Sequence, residues 1–230
     1  MNSVQLNTAE KMLLALLRAS LHQREAETEC FRDVPAETWK QCYQLAAKHG
    51  VMALAWEGVM TLPAELQPYK ALKVNWGLAV EAYEKKYRRY CRTIDELSRF
   101  YAQHGIVTLQ IKGVGYSSLY PVPSHREGGD IDIYTYAAPG SGMTDVQANA
   151  LADKLMKEKG IDVDTSHNVK HSIFTYQGIS IENHKAFLNI ERYDVAPQME
   201  KVLRRVMDPK VTPLVEGEVL TPSVAFNTLF

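Results

Sequence analysis

Gly128-Gly129-Asp130-Ile131-Asp132-Ile133 reads as a glycine turn opening directly into a strand. Residues two apart on a strand point the same way, so Asp130 and Asp132 share one side while Ile131 and Ile133 face a core. Two carboxylates a strand step apart repel each other in a half-buried site unless they are protonated or neutralised by a cation. A hard divalent ion such as Mg²⁺ takes oxygen ligands of this kind. Gly128-Gly129 leaves space for a ligand to approach the backbone. On spacing alone, Asp-x-Asp is more simply an exposed polar strand face. The flanking sequence has to decide.

Upstream, Ile106 to Ile111 is a short apolar strand, followed by the glycine-bearing turn Lys112-Gly113-Val114-Gly115 and a short helix over Gly115 to Leu119. A loop with Pro121, Pro123 and Gly128-Gly129 leads to a strand over Asp130 to Tyr136. Downstream, Thr144 with Gln147 forms a capping box for a helix ending at Gly160. Two strands, about Val169 to Tyr176 and Ile179 to His184, are joined by Gln177-Gly178. That turn sets Tyr176 opposite Ile179, Ile173 opposite Glu182 and His171 opposite His184. Glu182, His184 and His171 then share a face, with Glu182 an acid in an otherwise apolar strand. Adjacency to Asp130 and Asp132 does not follow from sequence, and Glu182 on the solvent side of an edge strand is the simpler reading. The glycine turn before the aspartates and the hairpin acid after them favour a site.

Other chemistries use Asp-x-Asp. A calcium loop needs a ligand at Tyr134 and a glycine after it, and neither is present. A phosphatase nucleophile ends an apolar strand, whereas Arg126-Glu127-Gly128-Gly129 precedes this one. A sugar-nucleotide glycosyltransferase also pairs Asp-x-Asp with a metal and is the best enzymatic alternative. His171, His184 and Glu182 as a transition-metal site is a further one.

The first hundred residues read as helices. Asn7 or Thr8 caps one with Met12, Leu13, Leu16 and Leu17 on a face; a second follows Pro35 and stops at Gly50; a short third covers Met52 to Met60. The longest runs from near Ala64 to about Gln103, with Trp76, Val80, Tyr83, Tyr87, Tyr90, Ile94 and Leu97 on one stripe. Beside Lys85, Lys86, Arg88, Arg89 and Arg92 these aromatics suggest nucleic-acid stacking, but a core seam behind a solvated charged face is the better reading. The tail gives a helix (about Gln198 to Met207), a strand pair around Gly217, and Thr221-Pro222-Ser223 as a further helix start. The stop at Phe230 so soon afterwards reads as a truncation.

At 230 residues, with 46% hydrophobic and 23% charged residues, the chain can bury a substantial core in one composite domain or two. A net charge of −1 supplies no basic field, so there is no strong nucleic-acid signal and a small or medium substrate is favoured. Cys30, Cys42 and Cys91 are scattered and odd in number, which points to a reducing compartment. They read as partly buried apolar residues, with a reactive thiol as second reading. There is no signal peptide and no run long enough to span a membrane, so the expected location is cytoplasmic.

Ile111-Lys112-Gly113, Leu119-Tyr120-Pro121-Val122-Pro123, Arg126 and Gly129-Asp130-Ile131-Asp132-Ile133 together resemble the uncharacterised bacterial nucleotidyltransferase family of the DNA polymerase beta-like superfamily. Trp39, Leu45-Ala46-Ala47-Lys48-His49-Gly50-Val51 and Ile181-Glu182-Asn183-His184 extend the resemblance over roughly residues 35 to 225. It implies that Asp130 and Asp132 hold two Mg²⁺ ions and that Glu182 completes the catalytic site, with a further role as base. It implies a triphosphate cradle at Lys112, Gly113 and Gly115, with Arg126 and His184 as additional nucleotide-binding candidates. Val114 stands where that superfamily commonly has Ser or Gly, and the interval from Gly113 to Asp130 is longer than usual.

The expected architecture is α+β: a helical N-terminal region (1–104) packed on a mixed β-sheet with flanking helices (the catalytic core, 105–195), then a C-terminal helix and short strands (196–230). The expected activity is Mg²⁺-dependent transfer of a nucleoside monophosphate from a nucleoside triphosphate to an acceptor hydroxyl on a small molecule or protein. A catalytically silent nucleotide-binding or interaction module with the same fold is the alternative from a different class. Base, acceptor and oligomeric state are not written in the sequence.

Overall fold

Asn7 starts the first helix, α1 (Thr8–Leu21), through a reciprocal cap: its side chain accepts from the Glu10 N–H at 2.9 Å, and the Glu10 carboxylate accepts from the Asn7 N–H at 2.8 Å. The computed structural model describes residues 5–166, 170–189 and 194–230, and the chain is α+β. It divides into two compact units, 1–87 with 117–127, and 88–116 with 128–230.

The first unit is helical. α1, α2 (Ala36–Lys48), α3 (Met52–Thr61) and the first half of α4 (Lys70–Ala102) bury Met12, Leu16, Trp39, Cys42, Val59 and Trp76 in one cluster. The Trp76 indole donates to the Met52 carbonyl at 2.9 Å and meets Tyr43 edge-on, which satisfies its polar handle inside the core. Gly58 brings α3 against α1, where a Cβ would stand 2.7 Å from the Leu16 Cα. The sequence predicts the long helix from near Ala64, but only a single turn forms over Ala64–Leu66 before the chain extends at Gln67. Pro68 explains the break, because it excludes the helical conformation from the residue before it.

The aromatic stripe of α4 is core. Trp76, Val80, Tyr87, Tyr90, Ile94 and Leu97 are buried, whereas Lys85 pairs with Glu81 at 2.7 Å on the outer face. Burial pushes the Cys42 thiol up to about 12, so it behaves as an apolar filler.

The second unit is built on a seven-stranded sheet. Its strands are β1 (Ile106–Gln110), β2 (Ile131–Ala137), β3 (Val163–Asp164), β4 (His171–Tyr176), β5 (Ile179–His184), β6 (Lys210–Pro213) and β7 (Glu218–Thr221), in the order β3-β4-β5-β2-β1-β7-β6. β2 with β5 and β1 with β7 are parallel; the other neighbours are antiparallel. The helices are α5 (Asp145–Glu158), started by the Thr144–Gln147 capping box, α6 (Ala196–Val206), and α7 (Val224–Leu229), capped by Ser223. Phe187, Leu203 and Phe226 pack with Leu109, Ile111 and Tyr134.

The β4–β5 hairpin has the register that its turn demands: Tyr176 with Ile179, Ile173 with Glu182, and His171 with His184. Gln177 and Gly178 both have positive φ, 50° and 71°, the two-residue turn matched to strand twist. Val169, where the sequence predicts the strand to start, lies outside the described residues. Among those residues, no helix is long and apolar enough to cross a membrane.

Candidate metal and nucleotide site

Asp132 and Glu182 are Cα partners on the parallel pair β2–β5, so both carboxylates project from one face at the same level. β5 is flanked by β4 and β2, so Glu182 does not lie on an edge strand. Ile131 and Ile133 are fully buried on the opposite face, as the alternation requires. The strand starts one residue later than predicted, which leaves Asp130 in the loop ahead of it. Asp130 is therefore positioned by the glycine loop rather than by strand alternation. The Tyr90 hydroxyl anchors that loop by donating to the Gly129 carbonyl at 2.7 Å.

His184, also fully buried, donates from Nε2 to Asp132 Oδ1 at 3.0 Å and stands 3.4 Å from Glu182 Oε2. His171 Nδ1 is likewise 3.4 Å from Glu182 Oε2, and the two imidazoles meet edge to face at 5.0 Å. The Lys112 ammonium lies 3.7 Å from Asp132 Oδ1 and 4.9 Å from the centre of the Phe230 ring.

Burial alone would raise the Asp132 carboxyl, but the His184 hydrogen bond and the Lys112 charge outweigh it, so its pKa is lowered. Glu182 moves the other way, raised by burial and then by the Asp132 charge. The imidazoles of His184 and His171 are lowered, chiefly by burial, which favours the neutral form that binds metals. Burial and the Lys112 charge also lower Lys170.

Gly113 has φ +59°, and a Cβ there would stand 3.2 Å from the Asp130 carbonyl. The turn after β1 thus presses against the loop carrying the first aspartate, which requires glycine. The Gly115 N–H donates to the Lys112 carbonyl at 3.0 Å, while a Cβ at this position would meet Gln110 at 3.0 Å. Gly115 accordingly closes the turn instead of offering its N–H. Arg126 belongs to the first unit, where its guanidinium donates to the Glu127 carbonyl at 3.3 Å.

Two groups of residues were not foreseen. Lys170 adds a second cation whose field reaches Asp132 and Glu182. On the other sheet face lies a buried polar network. Asn149 of α5 donates to Thr135 Oγ1 at 2.9 Å, to Asn183 Oδ1 at 3.1 Å and to the His184 carbonyl at 2.9 Å. Asp153, one turn later, accepts from Ser172 at 2.6 Å and Asn183 at 2.9 Å. Asn149 and Asp153 share a helix face by their spacing, a signal that the sequence did carry.

The donor set fits a divalent cation, since carboxylates and imidazoles converge from three adjoining strands. Residues 35–224 match the model of a family described as uncharacterised nucleotidyltransferase. The chain belongs to that family and is an enzyme of the class that transfers phosphorus-containing groups. No curated protein and no solved structure matches the chain.

Proposed function

We propose that this nucleotidyltransferase moves a nucleoside monophosphate from a nucleoside triphosphate to an acceptor hydroxyl of a small molecule or protein, with Mg²⁺ held by Asp130, Asp132 and Glu182. The observation that carries this reading is the level pairing of Asp132 with Glu182, with Lys112 beside it. Bound Mg²⁺ supplies charge to the α-phosphate and to the departing pyrophosphate.

The chain's own residues do the positioning. Lys112 is half-exposed and reaches Asp132 at the long distance of 3.7 Å, so its ammonium can turn to triphosphate oxygens without breaking a tight pair. Gly113 lets the turn lie close to Asp130 and keeps cradle and acids in one frame. His184, fixed by Asp132 at Nε2 and by Asn149 at its carbonyl, holds that carboxylate in a single orientation. Charge compensation by groups that need no reorganisation supplies most of the rate in such a site.

Calorimetry with a non-hydrolysable nucleoside triphosphate and Mg²⁺ tests the reading, comparing wild type with Asp130→Ala/Asp132→Ala. Binding is expected in the wild type alone. Absence of both nucleotide and metal binding in the wild type removes the proposal. Binding without transfer of label from any nucleoside triphosphate, to cell extract or to the protein itself, instead favours a silent nucleotide-binding module.

A further inference from the structure

We infer that Lys170, at the entry to the β4–β5 hairpin, is a second phosphate-binding residue that acts as a pair with Lys112, their two ammonium groups taking the terminal phosphates of the nucleoside triphosphate. This assignment rests on the nucleotidyl-transfer reading above. The two lysines come from distant parts of the chain, the turn after β1 and the residue before β4, yet both lie against one aromatic ring. The Lys112 ammonium is 4.9 Å from the centre of the Phe230 ring, and that of Lys170 is 5.6 Å from it. Phe230 is itself packed on Phe226 at 5.2 Å and on Phe187 at 6.0 Å, so the ring is a fixed support.

Gathering like charges in this way is unfavourable by itself. Burial opposes the ammonium form of Lys170, and the Lys112 charge opposes it further. Asp132 and Glu182 offset part of that penalty. Those carboxylates are the ones assigned to Mg²⁺, however, and Asp132 already has His184 and Lys112 beside it. Once a divalent cation engages the acids, the two ammonium groups and the metal form one positive surface. A multiply charged anion relieves the repulsion.

The chemistry selects phosphate as that anion. Lysine binds phosphate oxygens as a mobile point charge, and two such charges suit the phosphates that depart as pyrophosphate. A cation–π contact near solvent is weaker than a hydrogen bond from an ammonium to a charged oxygen. The ring therefore supports each side chain while the site is empty and yields it to phosphate. The backbone at Lys170 is anchored separately: its carbonyl accepts from the Lys185 N–H at 2.7 Å and from the Ala186 N–H at 3.3 Å. Substitution of the side chain leaves that anchor in place.

Calorimetry with a non-hydrolysable nucleoside triphosphate and Mg²⁺ compares wild type with Lys170→Met, which keeps most of the side-chain length and removes the charge. Loss of one charged hydrogen bond is expected to weaken triphosphate binding by roughly 10–100-fold. Inorganic tripolyphosphate with Mg²⁺ should lose affinity in parallel. Mg²⁺ alone should bind the variant at least as tightly as wild type, because a competing positive charge beside Asp132 and Glu182 has gone. Lys170→Arg should recover most of the triphosphate affinity. Lys185→Met removes an exposed charge from the adjoining chain and should leave every ligand unaffected, which separates contact from general field. Circular dichroism melting verifies that each variant is folded. Triphosphate affinity unchanged in Lys170→Met, or lost together with affinity for Mg²⁺ alone, overturns the inference. Wild-type nucleotide binding that is indifferent to Lys170 defeats this inference alone, whereas Lys170-dependent tripolyphosphate binding without nucleotide binding defeats only the functional reading.

Discussion

Asp132 on β2 and Glu182 on β5 face each other in register across a parallel strand pair, with the His184 ring hydrogen-bonded to the aspartate. No intervening residue can relax the spacing of these two acids. Either the charge is compensated locally, or a cation enters.

Substitution of either acid should therefore act on binding and rate more than on folding. Asp132→Asn keeps shape and a hydrogen-bond acceptor for His184, yet removes charge. Loss of one preorganised electrostatic partner is expected to lower label transfer by roughly 10²–10³-fold. Single-turnover transfer from labelled nucleoside triphosphate measures it, with a melting curve alongside. Unchanged transfer in both Asp132→Asn and Glu182→Gln would place the chemistry elsewhere.

Two helical glycines in the first unit should respond in opposite senses to alanine. At Gly58 the added Cβ meets the backbone of α1, 2.7 Å from the Leu16 Cα, and the helices have to separate. A cost of about 1–3 kcal/mol is expected for such overpacking. At Gly77 the nearest atom is on the Trp56 ring at 3.4 Å, an ordinary contact, so alanine gains about 0.5–1 kcal/mol of helix propensity. Urea unfolding midpoints compare the pair. Equal shifts in one direction contradict this account of α1–α3 packing.

Gly178→Ala should cost about 1–2 kcal/mol, because φ is +71° and the new methyl also stands 2.6 Å from Arg89 Nη2. Arg89, Thr93 and Glu96 all bind Gln177, so the turn is held to α4 through its neighbour. The substitution is expected to weaken Mg²⁺ binding as well, since the same turn sets the register of β5, which carries Glu182. Calorimetry on the folded variant tests this; full metal affinity would show that the strands keep register without the turn.

A pH-dependent contribution to stability arises at His125. Its Nδ1 is 2.6 Å from Glu57 and its Nε2 is 3.1 Å from Glu84, all within the first unit. Burial opposes the imidazolium, but hydrogen bonds and charge from both glutamates outweigh it and the pKa is raised. A raised histidine pKa gives stability that is fully present below the unfolded value, about 6.5. That stability is lost as pH rises through the higher folded value. Thermal melts from pH 6 upward should show this loss in the wild type and not in His125→Gln. A wild-type profile parallel to that of the variant would rule it out.

Local features were legible and long-range ones were not. The hairpin register could be read from Gln177-Gly178 because side chains alternate with period two and a two-residue turn fixes the alignment. Capping at Asn7 and Thr144 likewise depends on residues three apart. The neighbourhood of β2 and β5 depends instead on how the sheet assembles, so the pairing of Asp132 with Glu182 needed the fold. Asp130 fell outside the strand because the glycine loop, tied by Tyr90, runs up to Ile131. Lys170 read as an ordinary charged residue near the start of a predicted strand, and only the fold puts it within the electrostatic reach of Asp132 and Glu182.

The polar network beneath the sheet acts as a key for strand alignment. Thr135 of β2, Asn183 of β5 and Ser172 of β4 are fully buried and satisfied by one another or by Asn149 and Asp153. A slip of β5 by one residue would set Glu182 or His184 among those partners and leave a buried amide unmatched, costing about 1–3 kcal/mol for each orphaned group. Apolar residues would tolerate several alignments; this lock admits one. The distance between the two acids is thus set from the back of the sheet, by residues that need never touch a substrate.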